Sequence, residues 1–183
     1  ACVSSMVSVA SWLLRLSRGT TPCTTIKSVF IAAIGWAFSS ASAFSMCSPE
    51  RVDLRGDWGT ARFKVEIADD AKERARGLMF RESMPRMAGM LFVYEAPQRL
   101  AFWMRYTLIP LDLLFVDESG RVVTIHENAV PLDETPLSGG EAPLLAVLEI
   151  NGGMSKTLGI NLGTELRHPQ MPQAEALWPC KEN

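Results

Sequence analysis

From residue 61 to residue 167 the chain is cut into short apolar segments by turn residues, and that spacing confines it to a β-rich fold. Ala61–Ala68 alternates Phe63, Val65 and Ile67 with Arg62, Lys64 and Glu66, the period of a half-buried strand. Further strands are predicted over Gly89–Glu95, Leu100–Arg105, Leu111–Asp117, Arg121–Asn128 and Gly163–Arg167. Glu118-Ser119-Gly120 supplies a hairpin turn. Leu144–Asn151 is almost continuously apolar, which suits a central strand. Helical signals are few. Asp69 and Asp70 offer an N-cap to Ala71–Gly77, and Gly152–Leu158 reads as one helical turn stopped by Gly159. Leu78–Arg86 reads as irregular, laying Leu78, Met79 and Phe80 on the core. The pattern predicts a mainly β sandwich or partly closed barrel with one or two short helices.

The first 43 residues do not belong to that pattern. Lys27 precedes an apolar run, Ser28–Phe38, and Ser39–Ala43 ends in the small-x-small sequence that signal peptidase accepts. The run is shorter than the roughly 20 apolar residues needed to span a bilayer. The expectation is a leader over residues 1–43 cleaved after Ala43, an entry segment over 44–60, the β-rich domain over 61–168 and a tail over 169–183. The domain is thereby expected in the periplasm or secreted, with no stable membrane insertion after cleavage.

Of the 18 basic residues, Arg15, Arg18 and Lys27 fall in the leader, leaving 15 against all 20 acidic ones. An acidic body lacks the clustered Lys and Arg that bind a phosphate backbone, so nucleic acid is not an expected partner. Two of the four cysteines, Cys47 and Cys180, remain at the ends of the mature chain. Export and the usual proximity of domain termini predict a disulfide between them, two unlinked thiols being the alternative.

An ordered set of fragments spans the domain. Arg76-Gly77-Leu78-Met79-Phe80-Arg81, Met84-Pro85 and Gly89-Met90-Leu91-Phe92 come first. Phe102-Trp103-Met104, Ile109-Pro110-Leu111-Asp112, Phe115-Val116-Asp117 and Val147-Leu148-Glu149 with Gly152 follow. The set resembles the bacterial and archaeal domain-of-unknown-function family 192 over about residues 61–167. That resemblance implies a jelly-roll-like β-sandwich, often exported, and no assigned activity. It departs at one position: where the family pattern runs basic residue, Asn, Thr, this chain has Arg105, Tyr106, Thr107.

Arg81, Trp103, Arg105, Asp112 and Glu149 are the polar or amphipathic residues inside these fragments. In one pocket they would give an aromatic platform, cationic groups and carboxylates. In the structural reading, Arg81 pairs with Asp112 or Glu149 and Trp103 fills core. Glu149, set in an apolar strand, is the most suggestive because a buried carboxylate needs a partner. His126 and His168 lack metal-ligand spacing, Ser138 and Ser155 lie outside any G-x-S-x-G, and no glycine cluster forms a phosphate loop; no metal or cofactor is expected. The leading expectation is a non-enzymatic module binding a small polar ligand or an envelope protein through Trp103–Asp112 and the loop 131–143. The alternatives are a small periplasmic enzyme, saccharide-directed, using Asp112 and Glu149, and an accessory protein-contact module without a pocket.

Overall fold

The computed structural model describes residues 47–180. The expected leader lies outside them. The fold is mainly β, as predicted, and is dominated by a seven-stranded mixed sheet. In chain order the elements are β1 (Arg51–Gly56), β2 (Gly59–Ala68), α1 (Ala71–Arg76), β3 (Ala88–Gln98), β4 (Ala101–Phe102) and β5 (Leu111–Val116). Then come β6 (Val122–Ala129), β7 (Leu137–Ser138), β8 (Leu144–Asn151), α2 (Met154–Leu158) and β9 (Glu165–Arg167). The large sheet runs β6-β5-β8-β3-β2-β1-β9, and β4 with β7 form a separate two-stranded ribbon. Among the described strands only β2 and β3 pair in parallel, joined by a crossover that carries α1.

The sheet curls until its two edges meet. Val122 N–H donates to the Thr164 carbonyl at 2.8 Å, Gly163 N–H to Val122 at 2.8 Å, and Leu166 N–H to Gly120 at 2.7 Å. An Arg121–Glu165 bridge joins the same edges. The architecture is thus the partly closed barrel of the two expected arrangements. Its concave face holds one core, with Val52, Leu54, Phe63, Val65, Leu91, Leu114, Leu148, Ile150 and Leu166 fully or nearly fully buried. Alternate residues of β3, β5 and β8 point outward and make a second core: Met90, Phe92, Leu111, Leu113, Phe115, Leu144 and Val147. Period-two alternation explains how one strand feeds both. β5 and β8 are buried on both faces, which is why they read as continuous apolar runs.

Local chemistry sets the covering segments. Asp70 caps α1, its carboxylate accepting from Glu73 N–H at 2.7 Å. Gly77 ends the helix at φ 47°, and a Cβ there would stand 3.2 Å from the Phe92 ring. Three sequence expectations need correction. Phe80, expected on the core, is 65% exposed. Val52 and Leu54 belong to a strand of the main sheet, β1, rather than to a polar entry segment ahead of it. The predicted strand Leu100–Arg105 shrinks to Ala101–Phe102, because Met104 N–H turns to the Asp133 carbonyl at 2.8 Å instead of to a neighbouring strand. Cys47 and Cys180 form a disulfide that ties the ends of the described chain, their Cα atoms 5.7 Å apart.

Candidate functional site

The outer face of β3 and β8 is roofed by the end of α1, by residues 77–79, and by the segment that leaves β4. Between sheet and roof lies a cavity of about 410 Å³. Phe92 and Tyr94 rise from β3 and Glu149 from β8, because Met90 pairs with Glu149 and residues two apart share a face. Leu78 and Met79 close one side, and Phe102, Trp103 and Thr107 another. Arg74, Arg76 and Pro136 complete the rim.

Glu149 dominates the electrostatics. It is 4% exposed, and burial pushes its carboxyl up to about 8. Among the described residues no side chain or backbone group hydrogen-bonds or ion-pairs with it. A carboxyl held neutral in an apolar wall can donate or accept a hydrogen bond. Tyr94 is likewise pushed up, first by burial; the nearby Arg74 opposes the shift and the Glu149 charge adds to it. Arg74 itself is committed: Nη1 donates to the Val93 carbonyl at 2.9 Å and to that of Asp69, and the guanidinium lies 4.8 Å from the Tyr94 ring centre.

The five residues singled out in the sequence do not converge. Glu149 and Trp103 line the cavity, and Trp103 is 47% exposed at its mouth. Arg105 lies outside the lining, with its guanidinium 5.5 Å from the Trp103 ring centre and 4.8 Å from that of Tyr106. Arg81 forms a two-pronged salt bridge with Glu66. It pairs with neither Asp112 nor Glu149, the partners sequence reasoning offered. Asp112 is fully buried beneath α2. Its Oδ1 accepts from Asn128 N–H at 2.7 Å and Gly153 N–H at 2.8 Å, and its Oδ2 accepts from Ser155 N–H at 2.7 Å. It fixes a bulge, where Glu127 and Asn128 stand opposite one residue of β5, to the start of α2.

Asp112 pairs with Ile150 and Leu113 with Glu149. The two carboxylates therefore leave the sheet on opposite faces, and the two-carboxylate alternative for saccharide chemistry is not built by this fold. Tyr94, Phe92, Thr107 and Arg74 were missed as cavity residues. The signal for Tyr94 was present, since Met90, Phe92 and Tyr94 keep a period of two through β3.

The sequence of residues 52–168 matches the family described as "Uncharacterized ACR", domain-of-unknown-function family 192. The chain belongs to that family. Two crystal structures of similar proteins superpose on it. One, a protein of unknown function from Novosphingobium aromaticivorans DSM 12444, is 46% identical, with a TM-score of 0.62 over 63% of this chain and 82% of that one. The other, from Sinorhizobium meliloti 1021, is described as a putative transcription regulator. It is 40% identical, with a TM-score of 0.62 over 67% of this chain and 95% of that one. No curated protein matches the sequence.

The family resemblance also gives Tyr106 its meaning. Its backbone sits at φ 55°, a left-handed conformation that Asn adopts far more readily than Tyr. The family's Asn suits that backbone, and this chain holds Tyr there by stacking it on Phe80, ring centres 5.3 Å apart. The phenol takes no place in the cavity; its hydroxyl accepts from Arg105 at 3.1 Å.

Proposed function

We propose that this member of the family is an exported, non-enzymatic domain that binds a small ligand in the cavity over β3 and β8. The observation that carries the reading is Glu149: a buried carboxyl without a partner among the described residues, facing a space of about 410 Å³ lined by aromatic rings. Leaving such a group unpaired costs on the order of 1–3 kcal/mol. A ligand that pairs with it recovers that cost. The cavity also lies in the size range of small-molecule sites, mostly apolar with a few convergent polar groups.

The apolar segment with its small-x-small end and the disulfide between Cys47 and Cys180 support an exported setting. The acidic body argues against carrying over to this chain a nucleic-acid role of the kind suggested by the Sinorhizobium protein's description. The test is a thermal-shift screen of the purified protein against small amines, alcohols, carboxylates and sugars, repeated on Trp103→Ala. Binding at the cavity raises Tm in the parent and loses most of that rise in the variant. A screen in which no compound shifts Tm at millimolar concentration contradicts the reading.

A further inference from the structure

We propose that the cavity selects small organic cations: an ammonium group carried on an apolar or aromatic body. This rests on the ligand-binding reading above and adds the charge of the ligand. Glu149 is the one acidic side chain in the lining, and it has no partner among the described residues. The rings of Phe92, Tyr94, Phe102 and Trp103 line the same cavity, and aromatic faces carry the negative lobes that attract cations.

Two of the four rings already take a cation within the protein. Arg74 lies over Tyr94 at 4.8 Å, and Arg105 over Trp103 at 5.5 Å. An ammonium in the cavity therefore meets aromatic surfaces of a kind this molecule already uses, with a carboxyl in the same lining.

The charged and titratable groups lining the cavity are Tyr94 on β3, Arg74 and Arg76 on α1, and Glu149 on β8; the segment from Ala101 to Thr107 lines it with uncharged side chains. Arg74 is spent on the carbonyls of Asp69 and Val93 and on Tyr94. Arg76 lies at the exposed end of the helix, and it and Arg74 are the two lining groups of positive charge. An ammonium that pairs with Glu149 displaces the carboxyl proton, which passes to the buffer. The product is a neutral pair inside a low-dielectric wall.

The experiment is isothermal titration calorimetry of the full protein at pH 7 with phenethylamine, 2-phenylethanol and 3-phenylpropanoate, each in two buffers of different ionisation enthalpy. The expected result is phenethylamine binding at least about tenfold tighter than the other two, with release of about one proton per site. Glu149→Gln abolishes the proton release and the preference for the amine. The comparison of the three probes stands without that variant. If the alcohol or the carboxylate binds as tightly as the amine and loses affinity in Trp103→Ala, the cation assignment is overturned while the cavity stays a ligand site. Absence of binding by all three overturns the cation assignment, and the broader screen then decides the ligand-site reading separately.

Discussion

Asp112 and Glu149 lie on neighbouring strands, one register step apart, and their side chains leave the sheet on opposite faces. One step of a period-two structure separates a structural carboxylate from a candidate recognition group. Asp112 spends both oxygens on three backbone N–H groups that begin α2 and close the β6 bulge. Glu149 spends none on the described residues. Residue type and local sequence look alike at the two positions; what differs is the side of the sheet and what lies over it.

For Asp112 the consequence is a stability defect. Asp112→Ala leaves three N–H groups without their charged acceptor and destabilises the fold by about 3 kcal/mol or more, because hydrogen bonds to charged groups are the stronger ones. Urea denaturation measures it as a lower midpoint. A midpoint within error of the parent would show that Asp112 does not hold the α2 junction.

Glu149 gives the stability an unusual pH dependence. Its carboxyl keeps a proton to about 8 in the folded chain but loses it near 4.5 when unfolded. Between those values the unfolded state binds fewer protons, so stability falls as pH rises through the window. At its upper limit this loss is on the order of 4 kcal/mol. Glu149→Gln removes the effect: its Tm is expected above the parent's at pH 8.5 and close to it at pH 5. Parallel Tm–pH curves for the two proteins would contradict the assignment.

Tyr106 is held in a backbone conformation that disfavours it, and its ring contacts offset the strain. Tyr106→Ala loses the stacking on Phe80 without gaining a residue suited to φ 55°, and costs about 1–2 kcal/mol. Tyr106→Asn, the family's residue, recovers at least half of that. Equal stabilities of the two variants would show that the left-handed backbone contributes nothing.

The disulfide closes a loop of sequence separation 133. In the chain-entropy account this stabilises by up to about 5 kcal/mol, and measured values are commonly lower. Reduction, or Cys47→Ser with Cys180→Ser, is expected to lower the denaturant midpoint without changing the native β-sheet circular dichroism. An unchanged midpoint would mean the termini hold together by packing alone.

Much of the fold was legible because its signals are local. Asp70 as the α1 cap, Gly77 and Gly159 as helix stops, and the double-sided burial of Leu144–Asn151 follow from spacing and residue type. β1 was missed because Arg51 and Asp53 made the segment look polar, although Val52 and Leu54 kept strand alternation. The end of β4 was misread because apolar content at Leu100–Arg105 says nothing about where Met104 finds its backbone partner. The site was less legible. Glu149 and Trp103 stood out through their chemistry, but the pairing of Arg81 with Glu66, the opposite facing of Asp112, and the part played by Tyr94 depend on strand order. That order joins β3 to β8 across some fifty residues of chain.

The most direct measurement of the central claim is a two-dimensional amide NMR titration of the isotopically labelled protein with the strongest hit of the thermal-shift screen. The account predicts saturable shifts at Gly77, Tyr94, Trp103, Thr107 and Glu149, with residues around Asp112 and α2 undisturbed. Shifts confined to the concave face or to the β1–β9 edge of the sheet, or none at saturating ligand, would contradict it.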